Sequence, residues 1–188
     1  MKKLKINPIL CIQFCLTLFG TVLAVVLLIR ALKEPTLLGI LGAIVYLVAY
    51  LALVFYAMKT YSKKDNIYFQ GVIYAYAALL GIQILQSGNY ISDYGLPQNV
   101  ALIINCFNII SFANTVKFSD FLDERKTALA YIIIAVAIKL MIEIYLIVKM
   151  FAFIQMIHIL MSLSIPILGV TIIVAYINRI KRLNESKN

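Results

Sequence analysis

Residues 127–148 read TALAYIIIAVAIKLMIEIYLIV. A helix needs roughly 20 mostly apolar residues, at about 1.5 Å per residue, to cross the hydrocarbon of a bilayer. This stretch meets that length, and its only ionisable groups besides tyrosine, Lys139 and Glu143, fall well inside it. Working outward, five more such runs appear, at about 7–29, 37–58, 67–86, 98–116 and 153–177. The fold class that follows is all-α: a polytopic membrane protein, a bundle of six transmembrane helices. Residues 1–188 form one such domain, with no soluble domain between the spans. A β-barrel would need alternating strands of about ten residues, and these runs are continuous.

Composition agrees. The chain has 188 residues, of which 63% are hydrophobic and 13% charged, and its mean hydropathy is +0.97. Soluble domains run nearer 45–50% apolar and about 25% charged. A water-soluble globule of this size must show water far more polarity, and a disordered chain is far less hydrophobic. The first run is too long for the core of a signal peptide. It also carries Arg30-Ala31-Leu32-Lys33 where a small-residue cleavage site would stand, so it reads as a retained helix.

Lysine and arginine set the orientation. Lys2, Lys3, Lys5, Lys59, Lys63, Lys64, Lys117, Arg125, Lys126, Arg179, Lys181, Arg182 and Lys187 flank the spans on one side. Only Arg30, Lys33 and Lys149 lie on the other, and Lys139 inside a span completes the seventeen. The positive-inside rule then puts both termini in the cytoplasm. An odd number of spans would spoil the alternation. The net charge of +9 is therefore a topology signal facing anionic lipid. No basic stripe or recognition motif accompanies it, so nucleic acid is not an expected partner. Localisation in a plasma membrane follows, and the many Ile, Lys and Asn residues point to a bacterial source.

Chemistry-bearing motifs are sparse. Cys11, Cys15 and Cys106 all fall within spans and make no C-x-x-C pair. One histidine cannot supply a haem or a zinc site. No P-loop, G-x-S-x-G or H-E-x-x-H occurs, so no cofactor is expected and the chain carries no nucleotide-hydrolysing engine of its own.

The informative residues are polar ones at membrane depth. Lys139 and Glu143, four apart, share a helix face. Buried ionisable groups in a bilayer cost several kcal/mol and almost always face the bundle interior. The pair is either a structural ion pair or part of a binding site. In the sixth span Gln155, His158, Ser162, Pro166 and Gly169 fall within about an 80° sector. Proline there frees a backbone carbonyl that a neighbour, water or ligand must satisfy. If the outer turn centres near Met150–Phe151, Glu143 lies level with His158, and Lys139 with Ser162. Asn105, Asn108, Ser111 and Thr115 run down the fourth span, and Gln83 and Gln86 reach the outer third from the third. Tyr90, Asp93 and Tyr94 follow in the loop above. On the first span Gln13, Thr17, Gly20 and Thr21 share a face, while Gly71, Ala75, Ala78, Gly39 and Ala43 suggest close helix packing. Tyr56, Tyr131 and Tyr176, near span ends, suit an interfacial belt.

Polar groups thus converge on the outer half of the bilayer. The first functional reading is a small-solute binding or transport protein whose ligand enters from the extracellular side. Glu143, Lys139, His158, Asn105, Asn108, Gln83, Gln155 and Ser162 would bind it. Without an ATPase it would use an ion gradient, self-association or a separate energising membrane protein. In size and layout alone it is similar to the six-helix substrate-capture subunits of vitamin importers, with no motif of theirs matched. The second reading is a non-catalytic sensor, immunity or regulatory protein acting through a lipid, peptide or protein partner. The third is an intramembrane enzyme using Cys106, His158 and Glu143.

Overall fold

Six helices of the computed structural model are long and apolar enough to cross a membrane. They are α1 (Pro8–Lys33), α2 (Leu37–Met58), α3 (Asn66–Leu85), α5 (Gln98–Asp120), α6 (Arg125–Met150) and α7 (Ser164–Glu185), with α4 (Asn89–Ser92) a single turn between α3 and α5. The structure describes residues 8–33, 35–58, 66–86, 88–92, 94–150, 159 and 162–185, and among these there is no strand.

The surface pattern is consistent with an integral membrane protein. On α1, Gln13, Thr17 and Gly20 are buried, while Phe14, Leu18 and Val22 are about 60% exposed. A soluble helix would turn its polar side outward. In a bilayer no water would meet the outer face, and polar groups would need partners that only the interior supplies. The same inversion recurs on α5, where Asn108, Ser111 and Thr115 are fully buried and Ile103, Phe107 and Ile110 are exposed.

Each helix packs on its neighbour in the chain, and α7 packs on α1, so the six form a closed ring. Contacts between α3 and α7 cross its centre. Cross-ring hydrogen bonds fix the register. Asn178 Nδ2 donates to Gln13 Oε1 at 2.8 Å, tying α7 to α1. Tyr46 Oη donates to the Ser164 carbonyl at 2.9 Å, tying α2 to α7. Ser111 Oγ donates to the Ala135 carbonyl at 2.8 Å between α5 and α6.

The first five expected spans overlie observed helices, with ends that differ by a few residues. Helix α1 continues to Lys33 and α5 to Asp120, because long charged side chains reach past the hydrocarbon and let the helix enter the interface. The sixth span differs most. Its helix continues to Glu185, past the expected stop at 177, since Asn178 finds Gln13 and Arg179 lies over the Phe69 ring at 5.9 Å. Residues 151–158, which hold the expected turn and the start of that span, lie outside the described residues.

Two packing expectations are corrected. Tyr56 and Tyr176 are buried, not interfacial. With Phe69 and Phe118 they build an aromatic core at the basic end, Phe69 stacking on Tyr176 at 6.0 Å. The Tyr176 hydroxyl donates to the Leu122 carbonyl in the α5–α6 turn. Tyr131 is half-buried and stacks on Phe121 at 5.6 Å. Second, Gly71 and Ala78 are exposed, and a Cβ on Gly71 would meet nothing within 4 Å. Close approach occurs instead at Gly20, where the Tyr50 ring occupies the space of a side chain, and at Gly169, which faces Val136 and Tyr76. Large aromatics set these approaches, so the small residues lie opposite tyrosines and not opposite one another.

Candidate functional site

Lys139 and Glu143 form a salt bridge on the inward face of α6, the lysine fully buried and the glutamate 4% exposed. Helical geometry makes this natural: side chains four apart stack one turn over the other, and Val136, Lys139 and Glu143 share the buried face. Desolvating two charges costs several kcal/mol each, which the pairing must offset. It does so incompletely. Lys139 Nζ makes no regular hydrogen bond among the described residues, although an ammonium has three donors.

Tyr76 on α3 and Tyr90 on α4 are close enough for the Glu143 charge to act on both. The Tyr76 hydroxyl is buried with no hydrogen-bond partner among the described residues. Gly169 admits its ring: a Cβ there would stand 2.8 Å from the hydroxyl and 2.4 Å from Val136 Cγ2. That contact sets Gly169 level with Val136. Carried up both helices, it brings Ser162 level with Glu143 and Pro166 level with Lys139, one turn from the pairing expected.

Tyr90 is delivered by the α3–α5 connection, which folds back into the bundle. Gly95, at φ +59°, supplies the left-handed residue that turns the chain, and Leu96 N–H then donates to the Tyr90 carbonyl at 3.2 Å. Tyr90 and Leu96 bury against Ala101, Ile104, Ile142 and Leu146. The Tyr90 hydroxyl accepts a hydrogen bond from Asn108 Nδ2 at 2.9 Å. Burial pushes its phenol up to about 12; the Asn108 amide opposes that rise, while Glu143 and Tyr94 add to it.

The sequence-predicted residues therefore divide. Lys139, Glu143 and Asn108 come together, joined by Tyr76 and Tyr90. Asn105, one turn nearer Gln98, is half-buried with its Oδ1 enclosed and unpartnered among the described residues, as is Asn108 Oδ1. Ser162 is half-buried just before α7. Gln83 points elsewhere: it lines a cavity of about 250 Å³ between α1, α2, α3 and α7, which touches neither Lys139 nor Glu143. Gln155 and His158 lie outside the described residues, and with them the expected Glu143–His158 contact. Cys106 is exposed on the lipid side of α5, away from the face that carries Asn108. Among the described residues no three His, Cys, Asp or Glu side chains gather as a metal site requires.

Sequence reasoning missed Tyr76 and treated Tyr90 as part of a surface loop. Nothing local to the segment separates Tyr76 from Tyr74, two residues away on the same helix and 57% exposed.

Compared with protein-family models, curated proteins and solved structures, the chain finds no match.

Proposed function

We propose that this chain is a multi-pass protein of the plasma membrane that binds, and by extension transports, a small polar solute at Lys139–Glu143. Its Lys- and Arg-rich end would face the cytoplasm under the positive-inside rule, which sets the ion pair in the half of the bilayer nearer the outside. The described bundle would then be one transmembrane domain.

One observation carries it. Tyr76 Oη and Asn108 Oδ1, with Asn105 Oδ1 one turn from Asn108, are enclosed without hydrogen-bond partners among the described residues, and Lys139 Nζ has the Glu143 carboxylate for its partner. Each such group costs about 1–3 kcal/mol unless something meets it. A purely structural ion pair would be arranged to leave none. All three unpartnered oxygens can accept a hydrogen bond, as can the carboxylate, so the solute is one that presents N–H or O–H donors.

The test is a thermal-shift screen of the purified protein with amines, amino acids and polyols, repeated on Glu143→Gln. The expected result is a solute class that raises Tm in the native chain and not in the variant. Equal stabilisation of both overturns the proposal.

A second reading, a non-catalytic sensor, immunity or regulatory protein working through a lipid, has one observation in its favour. An apolar groove of about 330 Å³ lies between α5 and α6, lined by Ile103, Phe107, Met141 and Tyr145 among others. It faces where an acyl chain would lie. No solute response, together with full stability of Lys139→Met/Glu143→Gln, favours this alternative.

A further inference from the structure

The apolar groove between α5 and α6 ends beside a cation. Ile104 and Ile142, both buried, form its floor, and the exposed Ile103, Phe107, Met141 and Tyr145 form its rims. Along α5 it runs from Phe107 to Val100, about 10 Å at about 1.5 Å per residue. Lys149 stands one turn beyond Tyr145 on α6, with its Nζ 6.0 Å from the centre of the Tyr145 ring. The Ser111–Ala135 hydrogen bond sets the register of the two helices. Carried outward by equal steps, it puts Lys149 level with Pro97, where α5 begins. The groove therefore opens toward Lys149 and ends about 10 Å below it, inside one leaflet of a hydrocarbon roughly 30 Å thick.

That length points to the occupant. A partner helix crossing the bilayer would pack along a seam running the whole thickness. A groove confined to one leaflet fits an acyl chain that enters from that leaflet's surface. Charge narrows the choice. Among the described residues Lys149 is exposed and meets no carboxylate, and the first turn of α5 holds no acidic side chain. An ammonium and the half-exposed Tyr145 phenol both offer donors, which suit the oxygens of a phosphate. A headgroup carrying choline would set a like charge against Lys149, whereas one carrying only hydroxyls would not.

We infer that the α5–α6 groove holds one acyl chain of an anionic phospholipid whose phosphate lies on Lys149. In the orientation proposed above, that lipid belongs to the outer leaflet. The inference deepens the lipid alternative and rests on its groove; it does not depend on the solute reading of Lys139–Glu143.

The chain contains no tryptophan, so a single introduced one reports only its own surroundings. Phe107→Trp places it at the deep end of the groove, and Ile133→Trp, exposed on α6 outside the groove, is the control. The full chain is reconstituted in dioleoylphosphatidylcholine bilayers with rising fractions of brominated phosphatidylglycerol or brominated phosphatidylcholine. The phosphatidylglycerol is expected to half-quench Phe107→Trp at a mole fraction at least about fivefold lower, the discrimination of one lysine at an anionic headgroup. Adding Lys149→Gln should bring the two lipids within about twofold, and Ile133→Trp should not distinguish them. Equal quenching of Phe107→Trp by both lipids, or a preference that survives Lys149→Gln, overturns the headgroup assignment and leaves the groove as a chain site. Quenching of Ile133→Trp without quenching of Phe107→Trp overturns the groove itself, and the lipid alternative with it.

Discussion

The phenol of Tyr76 fills the place that a side chain at Gly169 would take, with 2.8 Å between its hydroxyl and a Cβ built there. That contact links the centre-crossing pair α3 and α7 and aims the Tyr76 hydroxyl toward the face of α6 that carries Lys139 and Glu143.

Gly169→Ala should therefore destabilise the protein by about 1–3 kcal/mol, the usual cost of overfilling a packed interior. Gly71→Ala is the control. Its Cβ meets nothing within 4 Å, and replacing a mid-helix glycine stabilises by roughly 0.5–1 kcal/mol. Opposite signs of the change in Tm for these two variants are the expected outcome.

The ion pair should show strong non-additivity. Lys139→Met alone leaves a buried carboxylate without its counter-charge and should cost about 3–5 kcal/mol. Adding Glu143→Gln removes the orphaned charge and should recover a large part of that loss. A double-mutant cycle in detergent measures it; additive losses would show that the two side chains do not interact.

Tyr90 gives a pH signature. Its phenol rises from the ordinary 10 to about 12 in the folded chain, so unfolding favours the tyrosinate. The stability that its burial protects is complete below pH 10 and declines as pH climbs from 10 through 12. Tyrosinate absorbance should show a late-titrating component to which Tyr90 contributes, and Tyr90→Phe should reduce it by one phenol.

Asn178→Leu removes the side-chain bond between α7 and α1 and leaves Gln13 Oε1 without its donor. Interhelical bonds in membranes average about 0.6 kcal/mol and reach about 1.7 kcal/mol. A loss in that range is expected by equilibrium unfolding. Gln13→Leu added to Asn178→Leu should cost little more, because both partners are then apolar.

The span positions were legible because helix length and apolar runs are one-dimensional properties. So were the buried stripes on α1 and α5, since a polar residue in lipid has only one direction to face. Where two stripes meet was harder. Gln83 belongs by depth to the level of Glu143, yet it lines another cavity, because depth along a helix says nothing about rotation around a ring. The tyrosines misled for a related reason. Tyr56 and Tyr176 have interfacial depth, but Phe69 and Phe118 give their rings a better place inside. Close packing at Gly20 and Gly169 depends on a tyrosine from a different helix, which no single segment reveals.

Closure of the ring by its first and last spans has a biosynthetic consequence. In a bilayer, while the ribosome is still making the middle of the chain, Gln13 and Thr17 would stand in lipid with the α7 wall of their interior unbuilt. Only when residues near Asn178 have emerged does that seam close. Nascent chains stopped short of that point would hold an unsealed helix, the kind of species that insertion chaperones retain and membrane proteases clear.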